Sequence, residues 1–132
     1  MEFKTRAEND ILNITQDVEK LVQGCQGKEG NVLIFAQSTT SGLAIIEYEA
    51  GLLYDFLAMM ERIAPKNAGY QHEAAWHDGN GHSHMKSSLL GTSLFIPFQE
   101  KSLLLGTWQQ IILVEFDVRP RKRTVIVQIH SD

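Results

Sequence analysis

Three of the chain's five histidines fall within Trp76-His77-Asp78-Gly79-Asn80-Gly81-His82-Ser83-His84, and a fourth, His72, stands just upstream. Imidazole changes charge near neutral pH and is the commonest protein metal ligand. His82 and His84 are separated by one residue, and in extended chain such a pair emerges on one face with origins roughly 6–7 Å apart. Gly79-Asn80-Gly81 supplies a tight turn before the pair, because Gly and Asn tolerate positive φ. The spacing therefore predicts His82 and His84 converging on one ion, with His72 as the third ligand. Glu73 or Asp78 is placed to accept a hydrogen bond from a ligand's outer ring nitrogen. An all-nitrogen set with an open position is the pattern of a catalytic zinc-type site rather than a closed structural one. The competing reading is solvated loop histidines or hydrogen-bonded packing residues.

Other stretches offer partner chemistry. Lys86-Ser87-Ser88 follows His84 directly, and a cation with two hydroxyls suits a phosphate. Thr107-Trp108-Gln109 precedes an apolar run, where Trp stacks on a ring and Gln hydrogen-bonds it. Glu47 and Glu49 flank Tyr48 and share a face if extended, as a pair of carboxylates for proton transfer does. The plainer alternatives are serines bonded to backbone, Trp108 in the core and a solvated strand end. The basic run Arg119, Arg121, Lys122, Arg123 surrounds Pro120 and reads as a solvated turn between two strands. It has no interleaved aromatics, as nucleic-acid binding would want. No phosphate-cradling Gly-rich loop, dinucleotide fingerprint or serine nucleophile elbow is present.

The elements that must position these groups follow from periodicity. Strands are expected near Glu2–Arg6 and Asp10–Asn13. A helix runs from Thr15, as N-cap, to Gly24, with Val18, Leu21 and Val22 inward. Val32–Ala36 and Leu43–Ile46 read as strands. Leu52, Leu53, Phe56, Leu57, Met60 and Ile63 mark an amphipathic helix ended by Pro65. Tyr70–His84, poor in apolar residues, reads as mostly loop. Ser93–Phe98, Ser102–Leu105, Trp108–Asp117 and Thr124–His130 complete an α+β sandwich with two main helices. Val32–Phe35, Ile111–Val114 and Val125–Val127 are apolar on both strand faces, which predicts a sheet covered twice. Two modest helices cover one face, so self-association is expected to cover the other.

At 132 residues, with 43% hydrophobic and 21% charged residues, the chain is a single domain of globular composition. A net charge of −4 argues against nucleic acid or anionic lipid as a partner. The single Cys25 leaves no intramolecular disulfide or thiolate cluster. With no signal-like or membrane-length apolar run, the expected location is the cytoplasm.

Tyr70-Gln71-His72-Glu73, Ser83-His84-Met85-Lys86-Ser87-Ser88-Leu89-Leu90-Gly91-Thr92-Ser93, Pro97 and Leu105-Gly106-Thr107-Trp108-Gln109 resemble the YjbQ family, also called the secondary thiamine-phosphate synthase family. The resemblance covers essentially the whole chain, residues 1–132. It implies a mixed or antiparallel sandwich whose sheets pack orthogonally around a threefold axis, giving a homotrimer. It also implies a histidine-lined, often metal-occupied site near the subunit boundary. The implied activity is a weak transferase reaction, joining a pyrimidine-methyl diphosphate to a thiazole phosphate with loss of pyrophosphate.

His72 and His84 match the family's histidines, Glu47 its acidic position, and Ser87, Ser88, Thr107, Trp108 and Gln109 its polar motif positions. Gln37-Ser38-Thr39 departs from the family's Gln-His-Thr, and Ile46 from its Asn. His82 is then expected to replace the ligand lost at Ser38. On this reading His72, His82 and His84 hold a divalent ion, zinc from the nitrogen-rich set or magnesium with a diphosphate substrate. Lys86 stabilises the leaving group, Ser87 and Ser88 hold phosphate oxygens, Trp108 and Gln109 orient the ring, and Glu47 moves a proton. The substrate is a small phosphorylated metabolite. Two other readings use the same residues: metal-dependent hydrolysis of a phosphorylated or acylated metabolite, and a non-catalytic trimer that binds a metabolite or metal.

Overall fold

The computed structural model describes residues 1–132. Eight strands and four helices succeed one another as β1 (Glu2–Lys4), β2 (Ile11–Asn13), α1 (Thr15–Gln23), β3 (Gly30–Ala36), β4 (Ser41–Ile46) and α2 (Ala50–Ile63). Then come α3 (Gln71–Trp76), α4 (Gly81–Leu90), β5 (Ser93–Gln99), β6 (Ser102–Leu103), β7 (Gln110–Glu115) and β8 (Lys122–Ser131). Every pairing is antiparallel. A five-stranded sheet is ordered β1-β8-β3-β5-β6 and a three-stranded one β2-β7-β4. The α+β sandwich expected from the sequence is present.

Period-two alternation sets the inner face of the larger sheet. Val32, Ile34 and Ala36 of β3, Ile96 and Phe98 of β5 and Val125 of β8 are all buried. They meet Ile111 and Leu113 of β7 together with Ile14, Val18 and Val22, the last two from α1, in one core. The four-residue spacing of Ile14, Val18 and Val22 makes that stripe. Leu21 lies off it and is 41% exposed, and Thr15 is the first helical residue rather than the cap. Its hydroxyl bonds Asn13 Oδ1 and accepts the Ile111 N–H, tying α1 to β7.

The other face of β7 carries Ile112 and Val114, which with Phe116 pack against Phe56 and Met60 of α2. Thus the doubly apolar run Ile111–Val114 is covered twice within one chain, by the larger sheet and by α2, without a partner. On β3 and β8 the second face is bare. Phe35, Phe95 and Ile126 are 38%, 65% and 40% exposed there, and Leu33 is half-buried between Phe95 and Gln128.

The histidine-rich segment is helical, not loop. Glu73, Ala74 and Ala75 are good helix formers and carry α3 to His77, whose left-handed φ of 57° ends it. Gly79, at φ 68°, turns the chain into α4, which packs on β4. Gly81 permits the close approach of α3 and α4: a Cβ there would stand 2.5 Å from Tyr70 Cβ and 2.7 Å from Glu73 Oε1. No helix is long and apolar enough to cross a membrane.

Candidate metal and anion cleft

On an α-helix, neighbours two residues apart diverge by about 200° rather than sharing a face. His82 accordingly turns inward and is fully buried, its Nε2 2.5 Å from Glu8 Oε1. Glu8 also accepts from Lys66 Nζ at 2.6 Å. Burial alone would raise the Glu8 pKa, but the bonds from Lys66 and His82 outweigh it and hold the carboxyl below its ordinary value. One turn beyond His82, Lys86 is equally buried and its Nζ donates to Glu61 Oε2 at 2.7 Å. Glu61 takes a further bond from the Lys66 backbone N–H at 2.8 Å. His82 and Lys86 therefore clasp α4 to the β1–β2 connection and the end of α2. The structure does not place His82 with His72 and His84, nor Lys86 near a leaving group. The pairing of His82 with His84 assumed extended chain, and α4 is helical there.

The opposite face of α4 is the open one. The His84 ring lies 4.4 Å from that of His72, centroid to centroid. His72 Nδ1 is buried without a hydrogen bond, 3.4 Å from Asp78 Oδ1 and 3.8 Å from Glu73 Oε1. Ligands on bonds of about 2.1 Å at tetrahedral angles stand about 3.4 Å apart, so these separations suit one shared ion. Burial, and after it the nearby His72, lower the His84 pKa, which keeps its lone pair free at neutral pH. Glu73 Oε1 is partly engaged, accepting the Gly81 N–H at 2.5 Å. His72, Glu73 and Asp78 bring ligand atoms within 4.8 Å of one another and are the groups best placed to ligate, with the His84 ring beside them.

His84 lines two adjoining hollows. One, about 450 Å³, is bounded by Phe35, Ser38, Thr39, Ser87, Ser88 and Thr92 among others. Ser87 spends its proton on the Ser41 carbonyl at 2.6 Å, fastening α4 to β4, whereas Ser88 is exposed at the rim. The second, about 340 Å³, has no apolar lining residue and extends past Asp78 and Asn80 to Asp117, Arg121 and Arg123. Arg121 Nε donates to Asp117 Oδ2 at 2.7 Å, and Asn80 Nδ2 donates to Asp117 Oδ1 at 3.3 Å. Burial would raise the Asp117 pKa, but Arg121, the Val118 N–H and Asn80 together lower it. Arg123 is buried against Glu115 and also donates to Thr40 Oγ1 at 2.8 Å. The basic run is therefore not a solvated turn throughout. The carboxylates Glu115 and Asp117, spaced like the guanidinium pair Arg121 and Arg123, were the available sign that the two pairs meet.

Glu47, Thr107 and Trp108 lie elsewhere. With Asn13, Tyr48, Glu49 and Gln110 they bound a separate cleft of about 460 Å³. Trp108 is 72% exposed rather than in the core. Glu49 caps α2 by accepting the Gly51 and Leu52 N–H groups, and those bonds lower its pKa. Gln109 Oε1 closes a turn by accepting the Gly106 N–H at 2.7 Å. This cleft sits at the Ile46–Gln110 end of the β4–β7 pair, and the histidine cleft at the Ser41–Glu115 end. Five strand steps separate those ends by roughly 17 Å. One chain does not bring Glu47 and Trp108 to a ligand held by His84.

The family profile described as UPF0047 protein YjbQ-like matches residues 1–132. The chain belongs to the YjbQ/UPF0047 family. A UPF0047 protein of Archaeoglobus fulgidus is 42% identical over 126 residues, covering 96% of this chain and 95% of that protein. UPF0047 protein YugU of Bacillus subtilis is 34% identical over 131 residues, covering 98% and 96%. Among solved structures, a YbjQ-like protein of unknown function from Sulfolobus solfataricus superposes with a TM-score of 0.91 at 29% identity, over 100% of this chain and 96% of that one. Ser38, where the resemblance implies a histidine, lines the histidine cleft. His82 lies on the other side of α4, against Glu8.

Proposed function

We propose that the histidine cleft is a divalent-metal site for a reaction on a small phosphorylated metabolite, of the diphosphate-displacing kind associated with secondary thiamine-phosphate synthases. The observation that carries this reading is the buried His72 Nδ1, which has no hydrogen bond and faces Asp78 beside His84. A buried polar nitrogen left so costs about 1–3 kcal/mol unless a ligand satisfies it. His72, Glu73 and Asp78 would hold the ion, with the adjacent His84 as a fourth ligand, the two imidazoles favouring zinc. The ion supplies Lewis-acid stabilisation of charge developing on a phosphate leaving group. Ser88 and Thr39 at the rim hydrogen-bond phosphate oxygens, while Ser87 holds α4 in register with β4.

Assembly belongs to the same proposal. Phe35 lines the cleft and also stands on the bare sheet face with Phe95 and Ile126. A second copy seated on that face, as in a homotrimer, walls the cleft. Glu47, Thr107 and Trp108 then act from a neighbouring copy.

Elemental analysis of purified protein tests the reading. One divalent ion per chain in wild type and in His82→Ala, lost in His84→Ala and in Asp78→Ala, is expected. The metal-loaded protein should then release pyrophosphate from the pyrimidine diphosphate and thiazole phosphate pair. Absence of a stoichiometric ion, or its survival in His84→Ala, would overturn the site.

A further inference from the structure

We infer that Arg121, backed by Arg123, forms an oxyanion subsite beside the proposed ion, so that the ligand's phosphate is gripped by a guanidinium as well as by the metal; this rests on the ion site proposed above. Both arginines are held from behind. Arg121 Nε and Nη2 are on Asp117 Oδ2 at 2.7 Å and 2.5 Å, and Arg123 Nε and Nη2 are on Glu115. Those bonds leave Nη1 of each guanidinium without a partner in the chain, and neither atom is sealed off from solvent. Both residues line the hollow that has no apolar wall. A carboxylate that fixes the back of a guanidinium leaves its remaining N–H groups aimed and ready, which is how Arg recognises phosphate or carboxylate.

The neighbours suit the same ligand. Thr39 offers a hydroxyl at the mouth, and Asn80 Oδ1 is a buried acceptor without a donor, placed to take a ligand O–H. The charges also have a consequence. Arg121 and Arg123 face Asp117, Glu115 and Asp78, with Glu73 beyond, so the fixed groups sum to −2 and do not attract an anion by themselves. A divalent ion cancels that charge. Anion binding here is therefore coupled to ion binding, and each strengthens the other.

The experiment is titration calorimetry of inorganic phosphate into the full-length protein, zinc-loaded and freed of excess ion, beside the metal-free protein. Arg121→Gln should weaken phosphate binding to the zinc-loaded protein about tenfold, the loss of one charge-assisted contact. Arg121→Lys, which keeps the pair with Asp117 but not the fork, should weaken it about threefold. Zinc content should stay at one per chain in both, which a merely structural arginine would not separate from phosphate affinity. Phosphate affinity within twofold of wild type in zinc-loaded Arg121→Gln overturns the subsite. If Arg121→Gln does not fold, Arg121→Lys and Thr39→Val decide on the same criterion. Wild-type protein that takes up no zinc overturns the ion site, and phosphate binding that Arg121→Gln still abolishes would then leave the arginine subsite standing.

Discussion

His82 and His84 are two residues apart on α4 and serve opposite sides of it: one is sealed against Glu8 at 2.5 Å, the other opens onto His72 and a polar hollow. The helix thus separates a structural clasp from a ligand-facing edge, and the two can be tested apart.

Replacing His82 with Ala removes a buried partner of Glu8 and leaves that carboxylate with Lys66 alone. The expected cost is about 1–3 kcal/mol, with ion stoichiometry unchanged. Urea denaturation together with elemental analysis reads both outcomes. Loss of the ion at preserved stability would contradict this division of labour.

Glu61→Gln leaves the buried Lys86 ammonium without its carboxylate. A destabilisation of about 1–2 kcal/mol is expected near neutrality, reduced from that of a fully buried pair because Glu61 is half-exposed. The Lys86 bond, then the Lys66 N–H, hold the Glu61 pKa below its ordinary 4.5. A carboxylate depressed in the folded state contributes above its unfolded pKa and ceases to contribute as pH falls through the folded one. The difference between wild type and Glu61→Gln should therefore be constant above about pH 5 and shrink under stronger acid. Denaturation midpoints collected from pH 7 downward check it.

Gly81→Ala forces a methyl into Tyr70 and Glu73. A loss of about 1–3 kcal/mol is expected from overpacking, along with weaker ion uptake because α3 must shift and carry His72 with it. Far-weaker uptake at near-native circular dichroism would be the signature.

Phe95→Asp charges the middle of the bare apolar face. Multi-angle scattering should show wild type as an assembly and the variant as a folded monomer. A wild-type monomer at micromolar concentration would remove the partner from the proposed function.

Sequence periodicity made the two sheets and the paired burial of Phe56 and Met60 legible, because strand alternation and a helical stripe are local signals. The histidine segment was not. Gly79 and Gly81 flank Asn80 and lower helix propensity where a helix nonetheless begins, held by tertiary contact with β4 rather than by its own residues. The i, i+4 pair of His82 and Lys86, and the grouping of His84 with Ser87 and Ser88, were the helical signs present. Arg121 and Arg123 were read as solvated for another reason: their partners Glu115 and Asp117 lie across a turn, and the matched spacing of the two pairs is a weak sign that the charges point inward. The bare second face of β3 and β8 was anticipated from runs apolar on both strand faces, whereas that of β7 was assigned to a partner although α2 fills it.

One half of the proposed ion site is moored and the other is not. His84 rides on a helix with five buried residues, whereas α3, which carries His72, has none. A segment with so little buried surface opens at low free-energy cost. An ion bridging the two would act as a staple, its capture and the stiffening of α3 being one event. Amide exchange at Gln71–Trp76 would then report occupancy without any substrate in the tube.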